Sequence, residues 1–414
     1  MNLFNWQQNR RIVDMTASVS EHFHILQLLV EKMTENSFLE DAKFLAGHFD
    51  IHTLRNDEGG RVIVIPELQG RTMTCASQGD DGQSYGFIKY DAFGNPHDPQ
   101  INLFGGEDRI WISPEGGQFS VFFDPDVPME FANWRTPKIL DSLPYDVVEQ
   151  NDTFITTKQS TALKNMSGYV FDIELRRTVE LLSRETAASH LNADIDGVSL
   201  VAHESRNMLT NTGDKTWQQE TGLIGLWSLC MSKPSPDATL IIPFRKGSEA
   251  ELGTIVTSDY FGDLDSSRLA VNEELGLIFL LGDGEYRSKL GLSAKRALPF
   301  LGSWDSQHGV LTVAQFSMPD SAPHGYTNNL WEFQEDPYGG DVINGYNDGP
   351  NESGGKLGGF YELETVSPAY ALSPGESCTH THRTIRIEGP REKLDSISQI
   401  VFGASLAQIE SQLD

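Results

Sequence analysis

The sequence predicts a mainly β protein: a large antiparallel β-sandwich or barrel with helices at its two ends. Three observations carry the prediction. From Asp50 onward, short runs rich in β-branched and aromatic residues alternate with clusters of Gly, Asn, Asp and Pro. No amphipathic helical pattern separates those runs, as it would in a protein built on a parallel sheet. Helical spacing occurs only before Asp50 and after Pro390.

The first element is helical. In "SVSEHFHILQLLVEKMTENSFLEDAKFLAGHF", Ser18 to Phe49, the apolar Phe23, Leu26, Leu29 and Val30 recur at spacings of three and four, and the pattern restarts at Phe38. Asn36 or Ser37 is placed to cap the second piece. His22 and His24 are two residues apart, which puts them on different faces of a helix and makes them poor co-ligands.

The strand-like runs follow in order: "RVIVIP", "TMTCAS", "SYGFIKY", "QFSVFF", "TFITTKQS", "YVFDIELRRTVELL", "VSLVAHES", "ATLIIPF", "LGLIFLLG", "VLTVAQFSM" and "TIRIEG". Within the sixth, Phe171, Ile173 and Leu175 alternate with polar neighbours, as a half-buried strand requires. No 20–50-residue period repeats, so neither a propeller nor a solenoid is expected. Glu335 to Gly359 is dense in turn residues and reads as a long loop. "REKLDSISQIVFGASLAQIESQLD" returns to helical spacing. The expected organisation is a helical segment over 1–49, a sandwich domain over 50–390 and a helix packed on it over 391–414.

Composition narrows the function. The 414 residues carry 31 Lys+Arg against 59 Asp+Glu, a formal net charge of -28 that repels nucleic acid in the absence of a basic patch. A neutral partner such as a sugar suits this surface. Cys75, Cys230 and Cys378 are scattered and form no CxxC pair, so neither a disulfide framework nor a zinc knuckle is indicated. The N-terminus lacks the apolar core of a secretory signal, and no run is long enough to span a membrane. A cytoplasmic location is expected, or a secreted or periplasmic one if a leader has been removed.

Two stretches hold most of the chemistry. In "FGGEDRIWISPEGGQFSVFF", two Gly-Gly pairs bracket Glu107, Asp108, Arg109, Trp111 and Glu115. Glycines allow close backbone approach, an Arg offers a planar fork of donors, carboxylates accept, and an indole offers a flat face, which together suit a sugar. In "FYELETVSPAYALSPGESCTHTHRTIRIEG", strand alternation puts Glu362 and Glu364 on one face and Cys378, His380 and His382 on one face of the next strand, beyond a Pro374-Gly375 turn. His380 and His382 offer a weak metal pair, a missing acid, or the polar face of a hairpin.

"GRTMT", "LTNTG" and "LETVSPAYALSPGES", in that order, resemble the galactose mutarotase (aldose 1-epimerase)-like superfamily, and "GGEDRIWISPEGGQFSVFF" resembles an uncharacterised bacterial branch of it. The resemblance spans roughly Asp50 to Gly389. It implies a sandwich with a sugar-sized cleft and general acid/base catalysis on a neutral ligand, without metal or cofactor. By position Glu364 is the implied base, with Glu362 as the neighbour that raises its pKa, and Arg71 and Arg109 are the implied hydroxyl-binding groups; with Glu107, Trp111, Glu115 and Glu362 they make up the expected substrate-binding set.

One departure is plain: after "LTNTG" the family carries a histidine, and "DKTWQQETGLIGLWS" has none. His203, His380 or His382 would then have to supply the acid, with His308 and His324 as further candidates. The expected function is a carbohydrate-binding, epimerase-like isomerase. The alternatives are a non-catalytic sugar sensor, and a hydrolase or lyase on the same scaffold that pairs Glu115 with Glu364.

Overall fold

A computed structural model describes residues 37–413, apart from 259 and 351–353. Most of the predicted N-terminal helical segment, including His22 and His24, lies outside the described residues. Its last part is the helix Phe38–Ala46, whose N-cap is Ser37, with the side chain accepting from the Glu40 amide.

The strands run in chain order. First come β1 (His52–Arg55), β2 (Arg61–Ile65) and β3 (Arg71–Ala76), then β4 (Arg109–Ser113) and β5 (Asp146–Gln150). The long β6 (Phe154–Lys164), β7 (Val170–Leu181) and β8 (Ser199–Asn211) follow. After them lie β9 (Gly225–Ser232), β10 (Ala238–Pro243), β11 (Leu269–Asn272), β12 (Leu277–Leu281), β13 (Ser288–Ser293), β14 (Phe300–Asp305) and β15 (Val310–Phe316). The last three are β16 (Asp341–Asn347), β17 (Tyr361–Val366) and β18 (Ser377–Glu388).

These strands form the expected large antiparallel β-sandwich. A ten-stranded sheet, in the order β11-β12-β10-β14-β15-β18-β8-β7-β6-β5, faces a five-stranded sheet, β13-β16-β17-β9-β4. β1, β2 and β3 form a separate three-stranded sheet. Between the two large sheets Leu240, Ile242, Leu280 and Ala314 meet Leu290, Ile343 and Leu363. The other face of the ten-stranded sheet is covered by helices: Ala187 and Leu191 of Arg184–Leu191, Leu394, Ile397 and Phe402 of Arg391–Phe402, and Leu406 and Ile409 of Leu406–Glu410 pack on Phe279, Leu311, Ile385 and Ile387. Among the described residues no helix is long and apolar enough to cross a membrane.

Four readings of the sequence change. The helix Arg184–Leu191, capped by Ser183, lies within the region expected to hold strands without helices. "SYGFIKY" makes only isolated bridges, Gly86 to Ser232 and Ile88 to Gly105, so it borders the sheet without joining it. "QFSVFF" is irregular chain whose Val121, Phe122 and Phe123 still enter the core. The stretch read as a loop over 335–359 contains β16, a strand paired on both sides, with β13 and with β17. Its Gly and Asn residues mimic a turn, but the two flanking strands satisfy its backbone, and Val342 and Ile343 are fully buried.

Candidate functional site

The five-stranded sheet turns one face to the core and the other to a cleft of about 770 Å³. Strand alternation sets which residues reach the cleft. On β17, Tyr361 and Leu363 enter the core while Glu362 and Glu364 line the cleft. Cross-strand register then lays out rows. Lys289, Tyr346, Glu362 and Met231 are successive partners in one row, and Asn344, Glu364, Leu229 and Arg109 in the next. Beyond them Val366 pairs with Trp227, which pairs with Trp111.

The charged groups bond across the rows. Arg109 Nη2 donates to Glu362 Oε1 at 3.1 Å, and Lys289 Nζ donates to Glu364 Oε2 at 3.3 Å. Trp227 Nε1 donates to the same Glu364 oxygen at 3.0 Å. Both cations also lie over indole faces, Arg109 Cζ 4.7 Å from the centre of Trp111 and Lys289 Nζ 4.9 Å from that of Trp227. Glu362 and Glu364 are buried at 4% and 1% exposure.

The third carboxylate, Glu115, sits just after β4. Its amide donates to Asn329 Oδ1 at 2.8 Å. The following Gly116 is required by packing, because a Cβ there would lie 2.2 Å from the Leu330 carbonyl oxygen. The glycine pair thus lets Glu115 approach the loop that carries Trp331. Trp134 stacks on Trp331 at 6.2 Å and on Phe131 at 5.9 Å between ring centres, so the cleft is walled by parallel aromatic rings. The buried Trp134 Nε1 has no hydrogen-bond partner of ordinary geometry among the described residues.

Burial raises the carboxyl pKa values. Glu115 is pushed up to about 7 by desolvation, with Lys289 opposing and the Glu364 charge adding. Glu362 is also pushed up to about 7 by desolvation, with Arg109 opposing and Glu364 adding. The cleft therefore holds two carboxyl groups able to exchange protons near neutral pH.

Of the residues expected from sequence, the structure brings Arg109, Trp111, Glu115, Glu362 and Glu364 together on this cleft. It places the others elsewhere. Arg71 is buried beneath β4, where Nη1 donates to the Gly105 carbonyl at 2.7 Å and Nη2 to Gln69 Oε1 at 3.1 Å. Gly106 makes room for it, since a Cβ there would lie 2.5 Å from Arg71 Cδ. Glu107 is fully buried between the sheets, two residues before Arg109. Arg386 Nε donates to it at 2.9 Å. Burial disfavours its ionised form, yet Arg386, with His203 and the Cys75 thiol, outweighs that and holds it at about 2.

The histidines are the main correction. His203, His380 and His382 are 0% exposed and point into the sandwich interior, not the cleft. The reason lies in β17: Glu364 faces the cleft, so its neighbour Thr365 faces inward, and its Oγ1 lies 2.9 Å from both His380 Nε2 and His382 Nδ1. Burial lowers His380 to about 3 and His382 to about 4, so both are neutral at ordinary pH. Neither is placed to act as the acid, and the pair shares a hydroxyl. Nor do His308 and His324 line the cleft; His308 Nδ1 pairs with Asp305 at 2.7 Å.

Lys289, Trp227, Trp134 and Trp331 escaped the sequence reading. Only Trp227 had a usable signal, two residues before Leu229 in "LWSLCM", where alternation puts both on one strand face. Lys289 follows Arg287 and Ser288 at the start of a short strand, where it looks like an ordinary surface lysine.

The structure is similar to several solved ones. A protein from Synechocystis sp. shares 14% identity over 83% of this chain and 97% of its own, with a TM-score of 0.48. A galactose mutarotase-like protein from Clostridium acetobutylicum shares 12% over 83% and 100%, with a TM-score of 0.47. Another from Lactobacillus casei shares 13% over 82% and 99%, with a TM-score of 0.46. No curated protein matches the sequence. Residues 36–413 match the family described as "Family of unknown function (DUF6786)", and the chain belongs to that family.

Proposed function

We propose that the protein binds a sugar in this cleft and interconverts its anomers by carboxylate acid/base catalysis. One observation carries the reading: Glu115, Glu362 and Glu364 converge with Arg109 and Lys289 on a cleft walled by indole rings. Rings supply apolar faces for a pyranose, and charged groups supply bonds to its hydroxyls.

In the proposed reaction Glu364 takes the proton from the anomeric hydroxyl while Glu115 gives a proton to the ring oxygen. The ring C–O bond breaks and an open-chain aldehyde forms. Rotation about the bond to the carbonyl carbon and reversal of both proton transfers closes the ring on the other face. Glu115 takes the acid's place that the resemblance assigns to a histidine, and its pKa of about 7 leaves much of it protonated at neutral pH.

A second reading is binding without turnover, favoured by the ion pairs that already engage Glu362 and Glu364. Polarimetry of freshly dissolved α-glucose and α-galactose separates the two. Catalysis predicts a rate above the spontaneous one that falls to background in Glu364→Gln. A wild type that adds nothing to that rate while a sugar raises its melting temperature supports the binding reading and rules out catalysis of these sugars.

A further inference from the structure

We propose that Cys75, Glu107 and His203 form a buried binding site for a divalent cation of the zinc class, independent of the sugar cleft. The three donor atoms lie within 4.8 Å of one another. Cys75 Sγ is 3.0 Å and His203 Nε2 is 3.7 Å from Glu107 Oε1. Zinc bonds of ~2.0–2.3 Å at tetrahedral angles separate donors by roughly 3.5 Å, a value that the two separations from Glu107 bracket and that the third, at most 4.8 Å, reaches by side-chain adjustment. Thiolate, imidazole and carboxylate together are the donor set that zinc and its neighbours prefer.

Two independent features point to an ion and not to a closed hydrogen-bond network. First, both ring nitrogens of His203 and Glu107 Oε2 are buried without a hydrogen-bond partner among the described residues. A neutral imidazole with neither nitrogen satisfied is costly in a dry interior, and coordination would satisfy it. Arg386 donates to the same Glu107 Oε1 and also to Thr312 Oγ1 and Ser232 Oγ, which fixes the carboxylate in place beside the two other donors.

Second, a buried carboxylate close to Cys75 lacks a cation: Glu107 pairs with Arg386 and Asp108 with Arg177, whereas Glu388 has hydrogen bonds from Ser77 and Gln78 and no ion-pair partner among the described residues. A dication that displaces the Cys75 proton to solvent adds one net positive charge, which would face that carboxylate.

The ligands come from β3, from the segment leading into β4, and from β8. The ion would therefore tie the three-stranded sheet to the ten-stranded one through the segment that positions Arg109.

The test uses the full chain, expressed without a histidine tag. Elemental analysis should find a stoichiometric zinc-class ion. After exchange, cobalt(II) should give a thiolate-to-metal charge-transfer band that Cys75→Ser and His203→Gln abolish and Cys230→Ser retains. Removal of the ion should lower the melting temperature of the wild type but not of Cys75→Ser. If the wild type carries no stoichiometric metal and takes up no cobalt on refolding with it, or if the band follows Cys230, the proposal is overturned.

Discussion

Lys289 and Glu364 stand in different rows of the cleft sheet, and the ammonium crosses between them to lie 3.3 Å from the carboxylate. Arg109 makes the opposite crossing to Glu362. The two ion pairs form a lattice that holds both carboxylates apart on one strand and fixes the floor of the cleft.

Breaking one of those pairs should destabilise the fold. Lys289→Met leaves Glu364 buried beside a neutral group, with an expected loss on the order of 3 kcal/mol, read as a lower midpoint in urea unfolding. The double variant Lys289→Met/Glu364→Gln should recover much of that loss, because no buried charge is then left unpaired. With Glu364→Gln measured alone as well, a double-variant loss equal to the sum of the two single losses would show that the pair contributes little coupling.

Stability should fall as pH rises from about 4.5 toward 7. Glu115 and Glu362 have folded pKa values of about 7, raised from an unfolded value of 4.5. Across that window the folded state keeps protons that the unfolded chain has released. The contribution of each group is therefore fully present below 4.5 and lost as pH rises through 7. Its upper bound is roughly 3 kcal/mol per group. Glu107 acts in the opposite sense at lower pH: depressed to about 2, it adds stability above 4.5 that disappears as pH falls toward 2. Unfolding midpoints from pH 4 to 8 measure the slope, which Glu115→Gln should flatten.

The acid/base reading also predicts a pH profile. The catalytic rate should decline as pH rises above about 7, where Glu115 loses the proton it donates. Glu115→Gln should remove that limb along with most of the rate, an expected drop of ~10²-fold or more. A declining limb unchanged in the variant would assign the acid to another group.

His380→Gln should separate structure from chemistry. The side chain bonds Thr365 inside the sandwich and does not reach the cleft, so the melting temperature should fall while kcat/KM of the folded protein stays within about twofold. A loss of rate comparable to that of Glu364→Gln, at unchanged stability, would return the histidine to the reaction.

The aromatic wall should govern affinity. Trp331→Ala removes one face of the stack with Trp134 and should raise the Kd of any sugar the cleft binds by several-fold, the size of about 0.5–1.5 kcal/mol. Isothermal titration with the same sugar and both proteins measures it. An unchanged Kd would place the ligand away from that wall.

Much of the architecture was legible because it depends on local periods. The alternation that makes Glu362 and Glu364 share a face, and His380 and His382 share another, is a property of any extended strand. The turn at Pro374-Gly375 and the helix after Pro390 are equally local, as is the Ser37 cap. β16 was hidden because Gly345, Asn344 and Asn347 look like turn residues, and only two flanking strands make an extended path favourable for them.

The sequence by itself determined which residues travel together: the two glutamates, the Arg109–Trp111 pair and the two histidines. Only the tertiary structure decided which way each set points. Arg109 meets Glu362 across 253 positions of chain, and Lys289 joins Glu364 across 75. Such contacts depend on sheet order and register, which arise from burying one face of each strand against distant partners. The same packing that turned Glu364 toward the cleft turned Thr365 and its histidines inward, because on a strand the two directions come as a pair.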